Sequence, residues 1–281
     1  MKKILITGAN SYIGTSFEKY MKNWSDDYQI DTLDMTSDNW KEFNFSNYEI
    51  VFHVAGIAHR KPHENGESIY FAVNRDLAFE TCKISKGKGV KHFIFVSSMS
   101  VFGVVSGNIN DETVPNPKNP YGKSKLEAEV LILNCQDKQF NVSCIRPPMV
   151  YGYDCKGNYI KLSKIAKKCI VFPDFNNNRS MIYIDNLSEY VRQVIENRQY
   201  GILHPQNSDY VNTSDMVSLI AKVNKKKIIK IKLPKIIIRV LNISLLQKVF
   251  GTLVYDKSLS TFDFSYNCVS FEESIIRSEG R

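Results

Sequence analysis

Tyr121-Gly-Lys-Ser-Lys125 sets a phenol and an ammonium four residues apart, so both fall on one face of a helix that Asn119 can cap and Pro120 can begin. A phenol titrates near pH 10 and is a poor base at neutral pH. An ammonium one turn away and the positive end of the helix both favour the phenolate, which predicts a lowered pKa for Tyr121 and proton exchange near neutrality. Surface YxxxK patterns are common by chance, so this one gains weight only from its company. Upstream, Phe93-Ile-Phe-Val-Ser-Ser-Met-Ser-Val-Phe-Gly103 runs off a buried strand into a serine cluster. Ser98 is the hydroxyl placed to hydrogen-bond a reacting oxygen and steady charge developing on it. Ser97 and Ser100 are the alternatives, and Ser97 also suits satisfying loop backbone groups.

A second constellation lies at the N-terminus. Thr7-Gly8-Ala9-Asn10-Ser11-Tyr12-Ile13-Gly14 follows Ile-Leu-Ile and opens a helix, the context in which a glycine loop binds a dinucleotide. Gly8 makes the tight turn, Gly14 lets the helix pack on the strand, and the free N–H groups of the helix start face the pyrophosphate. Ser11 stands where the usual GxxGxxG pattern has its middle glycine, and it brings a side chain toward the pyrophosphate. Asp34 ends the second apolar run 20 residues after Gly14, a separation at which a carboxylate accepts hydrogen bonds from the adenosine ribose and repels a 2′-phosphate. Met35, Thr36 and Ser37 supply no cation, so the pattern favours NAD(H) over NADP(H). Asp31 competes for this role but reads as a surface carboxylate. Ala55-Gly56, after Ile50-Val-Phe-His53, offers small residues against which a cofactor can lie.

Short apolar runs alternate with helical periodicity, the mark of βαβ units. Strands are expected at Lys3 to Thr7, Tyr28 to Asp34, Glu49 to His53, His92 to Ser97 and Asn141 to Arg146, and helices near Ile13 to Asn23, Ser68 to Lys86 and Pro120 to Cys135. The expected class is α/β, a doubly wound parallel sheet of the Rossmann type with a smaller C-terminal substrate-binding lobe. Its ligand crevice lies at the strands' carboxyl ends, where every motif above falls. Residues 1–150 read as the dinucleotide-binding domain and 151–281 mainly as the lobe, with 180–205 returning to the sheet. Helical periodicity recurs at Asp185 to Asn197 and Thr213 to Lys222.

At 281 residues, 43% hydrophobic and 12% aromatic, the chain can bury a full core. It carries neither a signal-peptide core nor a membrane-length apolar run, so a soluble cytoplasmic protein is expected. Six cysteines without CxxC spacing read as reduced thiols, and no metal site is expected. His59 and His63 flank Pro62, which spoils a helical metal pair. The net charge is +8, much of it in Lys225 to Lys235, where lysines alternate with isoleucines. The plain reading is a half-buried strand with a solvated lysine face. The sharper one is a basic edge in peripheral contact with anionic lipid or a polyphosphate, supported by the apolar stretch Ile236 to Val254. No module for reading nucleic acid organises these lysines.

TGxxxxIG, VFHxAG, Val73-Asn74, SSxxVFG, NPYGKSKxxAE and RPPMVYG occur in order, and through them the chain resembles the extended short-chain dehydrogenase/reductases of the NAD-dependent epimerase/dehydratase group. The resemblance is strong over residues 1 to 205. Ile145 to Gly152, Lys156-Gly-Asn158 and Asn178 to Asn186 are most similar to bacterial capsule and O-antigen enzymes that reduce UDP-4-keto-6-deoxy-N-acetylhexosamines. The resemblance implies Ser98, Tyr121 and Lys125 as the catalytic triad and Asn74 and Pro148 on the cofactor side. Asn158 and Arg179 would hold the diphosphate of a UDP-sugar, with Arg60 and Lys61 as weaker phosphate candidates. It further implies a homodimer built on the helices near Ser68 to Lys86 and Pro120 to Cys135. A UDP-hexose 4-epimerase with tightly held NAD would use the same triad. A sugar 4,6-dehydratase fits less well, because Met99 and Ser100 stand where an Asp-Glu pair would drive elimination. A non-catalytic dinucleotide sensor or scaffold would be expected to lose the tyrosine or the lysine, and both are present.

Overall fold

Strands covered on both faces read as near-continuous apolar runs, as in the buried spans of β1 (Lys2–Thr7), β3 (Ile50–His53) and β4 (His92–Val96), whereas β2 (Tyr28–Leu33), at the sheet edge, is only partly buried and carries Gln29, Asp31 and Thr32. β3 and β4 are buried along their whole length, as is β1 from Ile4 to Thr7. β5 (Gly107–Ile109) lies apart, whereas β6 (Asn141–Ile145) rejoins the sheet. β7 (Met149–Tyr151), β8 (Val171–Pro173) and β9 (Met181–Tyr183) follow, then β10 (Gly201–Leu203), β11 (Ile229–Ile231) and β12 (Leu253–Tyr255). The main sheet has six parallel strands in the order β10-β6-β4-β3-β1-β2. The winding reverses between β1 and β3, so the crevice of this doubly wound sheet opens at the carboxyl ends of those two strands. The computed structural model describes residues 1–37, 39–58, 66–174, 176–232 and 251–280.

The five expected strands are present, and the sixth, β10, is a short one that periodicity did not single out. Helix α1 (Tyr12–Met21) follows β1. The stretch expected as one helix from Ser68 is α2 (Ser68–Phe71), a π-helical turn (Ala72–Leu77) and α3 (Ala78–Gly87). The interruption surrounds the buried Asn74, whose amide is drawn out to the loop after β3. α4 (Pro120–Leu133) starts where expected, with Asn119 Oδ1 accepting from the Gly122 N–H at 2.9 Å. α5 (Asn158–Lys168), α6 (Ile184–Glu196), α7 (Thr213–Val223) and α8 (Phe271–Ser278) complete the helices used below.

Two compact units result. One comprises Met1–Gly103, Val114–Pro147 and Ser188–Pro205, and it contains the six-stranded sheet. The other comprises Val104–Thr113, Pro148–Leu187 and Gln206–Arg281. In the second unit three two-stranded pairs, β12 with β5, β7 with β9 and β11 with β8, accompany α5 and α8, which both pack on α7. Glu279 ties these helices, accepting from Tyr159 Oη at 2.9 Å and Asn224 Nδ2 at 2.9 Å and pairing with Lys167 at 2.7 Å. The half-buried lysine-faced strand expected at Lys225 to Lys235 is not found in that form. Among the described residues of that stretch only Ile229–Ile231 is a strand, and its isoleucines are exposed. Residues 233–250 lie outside the described residues.

Three histidines belong to the sheet unit: His53 on β3, His92 on β4 and His204 after β10. Burial pushes His53 down to about 3, with the Lys125 charge adding to the effect. Burial likewise takes His92 and His204 down to about 4. His53 Nδ1 lies 2.8 Å from Thr7 Oγ1, and His92 Nε2 lies 2.6 Å from Ser143 Oγ. Unfolded histidines titrate at about 6.5, so stability is complete above that pH. It is lost as pH falls from there toward 4, because only the unfolded chain takes up the protons. We expect the unfolding free energy to drop by about 2 kcal/mol per histidine by about pH 5. Urea melts across that range check this, and His92→Gln should show the shallower decline.

Candidate active site

β4 ends by handing its backbone to a turn. Ser97 N donates to Ile145 O at 2.7 Å and Met99 N to Pro147 O at 3.0 Å, which fixes the serine cluster against the end of β6. Residues Met99–Phe102 form a 3-10 turn capped by Ser98, whose Oγ accepts from Ser100 N at 3.1 Å. α4 approaches this turn closely enough that a Cβ on Gly122 would sit 2.6 Å from Ser100 O. Only glycine permits that approach, and it brings the Tyr121 phenol into hydrogen bonding with the Ser98 hydroxyl. Tyr70 of α2 meets the Tyr121 ring edge to face, 6.3 Å between centroids.

Lys125, one turn on, is buried, donates from Nζ to Val96 O at 2.8 Å and lies 4.5 Å from the Phe95 ring centroid. Burial pushes its ammonium down to about 8, with the Glu129 carboxylate acting in the opposite direction. The expected acidification of Tyr121 is not found in the protein alone. Burial raises the phenol, and the bond from Ser98 only partly counters it. Burial outweighs the charge expected to help: Lys125 does not figure among the causes acting on the phenol, and its ammonium donates to a backbone carbonyl of β4 instead. The half-buried Tyr121 is therefore a neutral acid, with Ser98 as its neighbour and Lys125 one turn behind.

The glycine loop fits a dinucleotide. Gly8 has φ +116°, and a Cβ there would sit 2.6 Å from Ala55 N, so the turn and the Ala55–Gly56 segment lie in contact. Asn10 takes φ 63°, and Gly8 and Ala9 donate to Leu33 O at 2.9 and 3.1 Å, which ties the loop to the end of β2 beside Asp34. Ser11 has a different part from the one expected. It caps α1, its Oγ accepting from Gly14 N at 3.2 Å, so its side chain folds back on the helix. Tyr12 and Ile13 begin the helix, and Gly14 packs against Ile6 and Val54. Asp34 is exposed, and bonds from Thr36 N and Oγ1 at 2.9 and 2.8 Å hold its carboxyl below the usual range. Asp31 accepts from Tyr48 Oη at 3.0 Å, a structural use.

Asn74 is wholly buried. It accepts from Ile57 N at 2.9 Å, and its Nδ2 donates to Ile57 O at 3.0 Å and to Ser124 Oγ at 3.1 Å. This bracket joins the loop after β3 to α4. A Cβ on Gly56 would sit 3.0 Å from Asn74 Oδ1 and 3.2 Å from Lys125 Nζ, so Gly56 brings the cofactor-side loop onto the ammonium. The structure thus gathers Gly8, Ala55, Gly56, Asn74, Ser98, Tyr121 and Lys125 in one unit. Pro148, Asn158 and Arg179 belong to the second unit. Asn158 is the exposed first residue of α5, which has no side-chain cap. Arg179 Nη1 donates to Gly251 O at 2.8 Å, and no carboxylate among the described residues pairs with it. Arg60 and Lys61 lie outside the described residues.

Reasoning from motifs alone missed the pair that fixes α4. Glu129 continues the face of Tyr121 and Lys125 by one more turn and meets Arg146 from the end of β6, with Nε and Nη2 donating at 3.0 and 2.6 Å. Both side chains are buried, and the guanidinium also lies 5.0 Å from the Phe102 ring in the serine turn. The i+8 spacing of Glu129 from Tyr121 was the available signal. Removing one partner, as in Glu129→Gln, strands a buried charge and should cost about 3 kcal/mol in a urea melt. The apolar pair Glu129→Leu/Arg146→Met should recover most of that loss while kcat stays low, because nothing then fixes the rotation of α4. Full activity in the double variant would assign the pair to stability alone.

Residues 4–204 match the NAD dependent epimerase/dehydratase family. A UDP-glucose 4-epimerase of Vibrio cholerae is 28% identical over 246 residues, covering 78% of this chain and 75% of that protein. An N-acetyl-alpha-D-glucosaminyl-diphospho-ditrans,octacis-undecaprenol 4-epimerase of Escherichia coli O157:H7 is 24% identical over 253 residues, with coverage of 82% and 75%. Among solved structures, UDP-glucuronic acid 4-epimerase from Bacillus cereus in complex with NAD superposes with a TM-score of 0.76 at 19% identity, covering 99% of this chain and 97% of that one. A dTDP-4-dehydrorhamnose reductase from Bacillus anthracis in complex with NADP gives 0.72 at 18% identity, covering 99% of each chain. Structures of this fold thus hold either dinucleotide. The chain belongs to the NAD dependent epimerase/dehydratase family, and it is an enzyme.

Proposed function

We propose that the enzyme reduces the C4 keto group of a UDP-4-keto-6-deoxy-N-acetylhexosamine, using NAD(H), in the cytoplasmic assembly of a surface polysaccharide. The observation that carries this reading is the neutral, half-buried Tyr121 phenol hydrogen-bonded to Ser98, since reduction of a ketone calls for an acid beside the oxygen. When bound, the dinucleotide supplies the hydride that turns the carbonyl into an alcohol. Tyr121 gives its proton to that oxygen, and Ser98 keeps a donor on it while charge develops. Lys125, pushed down to about 8, is poised to return a proton to the phenolate near neutrality. Its bond to Val96 O holds it one turn below the phenol.

The exposed, ionised Asp34 favours an unphosphorylated adenosine ribose and hence NAD(H) over NADP(H). Asn74 and Pro148 take the cofactor side. Arg179, with no described carboxylate on it, and Asn158, at the uncapped start of α5, receive the UDP diphosphate. α2, α3 and α4 supply the homodimer interface.

A UDP-hexose 4-epimerase with tightly held NAD is the second reading, favoured by the 4-epimerase relatives. Denaturing the purified protein and identifying the released nucleotide separates the two. The reductase is expected to release little dinucleotide and to oxidise added NADH with a UDP-4-keto sugar. Stoichiometric NAD release, with interconversion of UDP-hexoses and no added reductant, would replace reduction by epimerisation. Tyr121→Phe is expected to lower kcat by about a thousandfold and leave NADH binding nearly unchanged. An undiminished rate would remove Tyr121 as proton donor.

A further inference from the structure

Five large apolar side chains stand out in water along one stretch of the second unit: Ile165 at 36%, Ile170 at 72%, Val171 at 47%, Ile229 at 60% and Ile231 at 44% exposure. Their exposure follows from how the elements are oriented. α5 buries Tyr159, Leu162, Ser163 and Ala166, which leaves Lys161, Lys164, Ile165 and Lys168 on its solvent stripe at i, i+3, i+4 and i+7. The chain then passes through exposed Cys169 and Ile170 into β8, which pairs in parallel with β11. Val171 stands opposite Ile229, Phe172 opposite Lys230, and Pro173 opposite Ile231.

Alternation along the strands sends Phe172 inward, where it is 4% exposed. Lys230 lies on the same side but stays exposed, its Nζ 2.8 Å from Asp215 and 3.9 Å from Asp174. This small sheet therefore turns its lysine toward carboxylates and its branched aliphatic residues to water, the reverse of a solvated edge. Around that apolar rank stand exposed cations. Lys225, Lys226 and Lys227 precede β11 and Lys232 follows it. Neither they nor the α5 stripe lysines pair with a carboxylate among the described residues. The sequence holds no Asp or Glu from Lys225 to Tyr255.

We propose that the outward face of β8 and β11, with the solvent stripe of α5, docks on an anionic lipid bilayer. The branched side chains enter the boundary between headgroups and acyl chains, and the lysines meet the lipid phosphates. The chemistry selects this partner. A nucleic acid would use the lysines but give the isoleucines nothing to bury, and the patch, among the described residues, has no exposed aromatic ring on which a base could stack. A second copy of the same face would bring lysine against lysine. The docking surface rests on the second unit alone and is independent of the catalytic reading.

Co-sedimentation with phosphatidylcholine vesicles, with and without about one-third phosphatidylglycerol, tests it. Binding to the anionic vesicles is expected to be at least about tenfold stronger at low salt and to weaken at high salt. Ile170→Ser/Ile229→Ser and Lys164→Glu/Lys168→Glu should each lower it about tenfold or more while the melting temperature is unchanged. An Ile170→Trp variant, at a well-solvated position, reads the same contact by a blue shift and by quenching from brominated lipid. The inference is overturned if the wild type stays with the supernatant, if both double variants bind undiminished, or if the indole emission gained in the Ile170→Trp variant ignores the vesicles. Equal binding to duplex DNA that survives the serine substitutions would also overturn it and assign the patch to a polyanion.

Discussion

A charged side chain cannot stay in a protein interior without partners, and in this fold that requirement sets the geometry of α4. Three residues share one face of that helix, the half-buried Tyr121 and the buried Lys125 and Glu129. The carboxylate at the far end is held by Arg146 from β6, and the ammonium in the middle by the carbonyl of Val96 on β4. With two of the three anchored to neighbouring strands, the rotation and height of the helix are fixed, and the phenol has one place to go, beside Ser98. The glycine at 122 removes the last obstacle by letting the helix settle on the Ser100 carbonyl. The same guanidinium that anchors Glu129 lies over Phe102, so the turn bearing the serines is referenced to the same point.

The sheet and the triad were legible in the sequence for different reasons. Strands buried on both faces leave uninterrupted apolar runs, and Ile4–Ile6, Ile50–Phe52 and Phe93–Val96 are such runs. β10 is three residues long, and Ile202 is exposed, so its signal is too short to separate from its surroundings. Tyr121 and Lys125 were visible because helical spacing places them together. The protonation of Tyr121 was not, since it depends on how deeply the phenol is buried once α4 has packed on the sheet. Burial is a property of the assembled core, and it reversed the direction expected from charge and helix dipole alone.

Ser11 teaches a related lesson. A side chain in a glycine loop looks like an intrusion on the pyrophosphate when read linearly. In three dimensions it takes the capping role that serine fills at many helix starts and turns inward to Gly14 N. The lysine-isoleucine alternation failed in the opposite way. A strand does form at β11, but none of its three residues is buried, and its lysine rather than its isoleucines lies beside the carboxylates of Asp174 and Asp215.

The π-helical turn at Ala72–Leu77 divides one long helix into two halves that are out of step. A π-turn takes up one residue more than an α-turn, so the same residues closed as an unbroken α-helix would turn Ser68–Phe71 by about 100° relative to α3. Tyr70 would then leave the edge of Tyr121, while Ala78 and Cys82 stayed in the core. One surplus residue therefore sets the aim of the half over the phenol without moving the half that holds up the sheet.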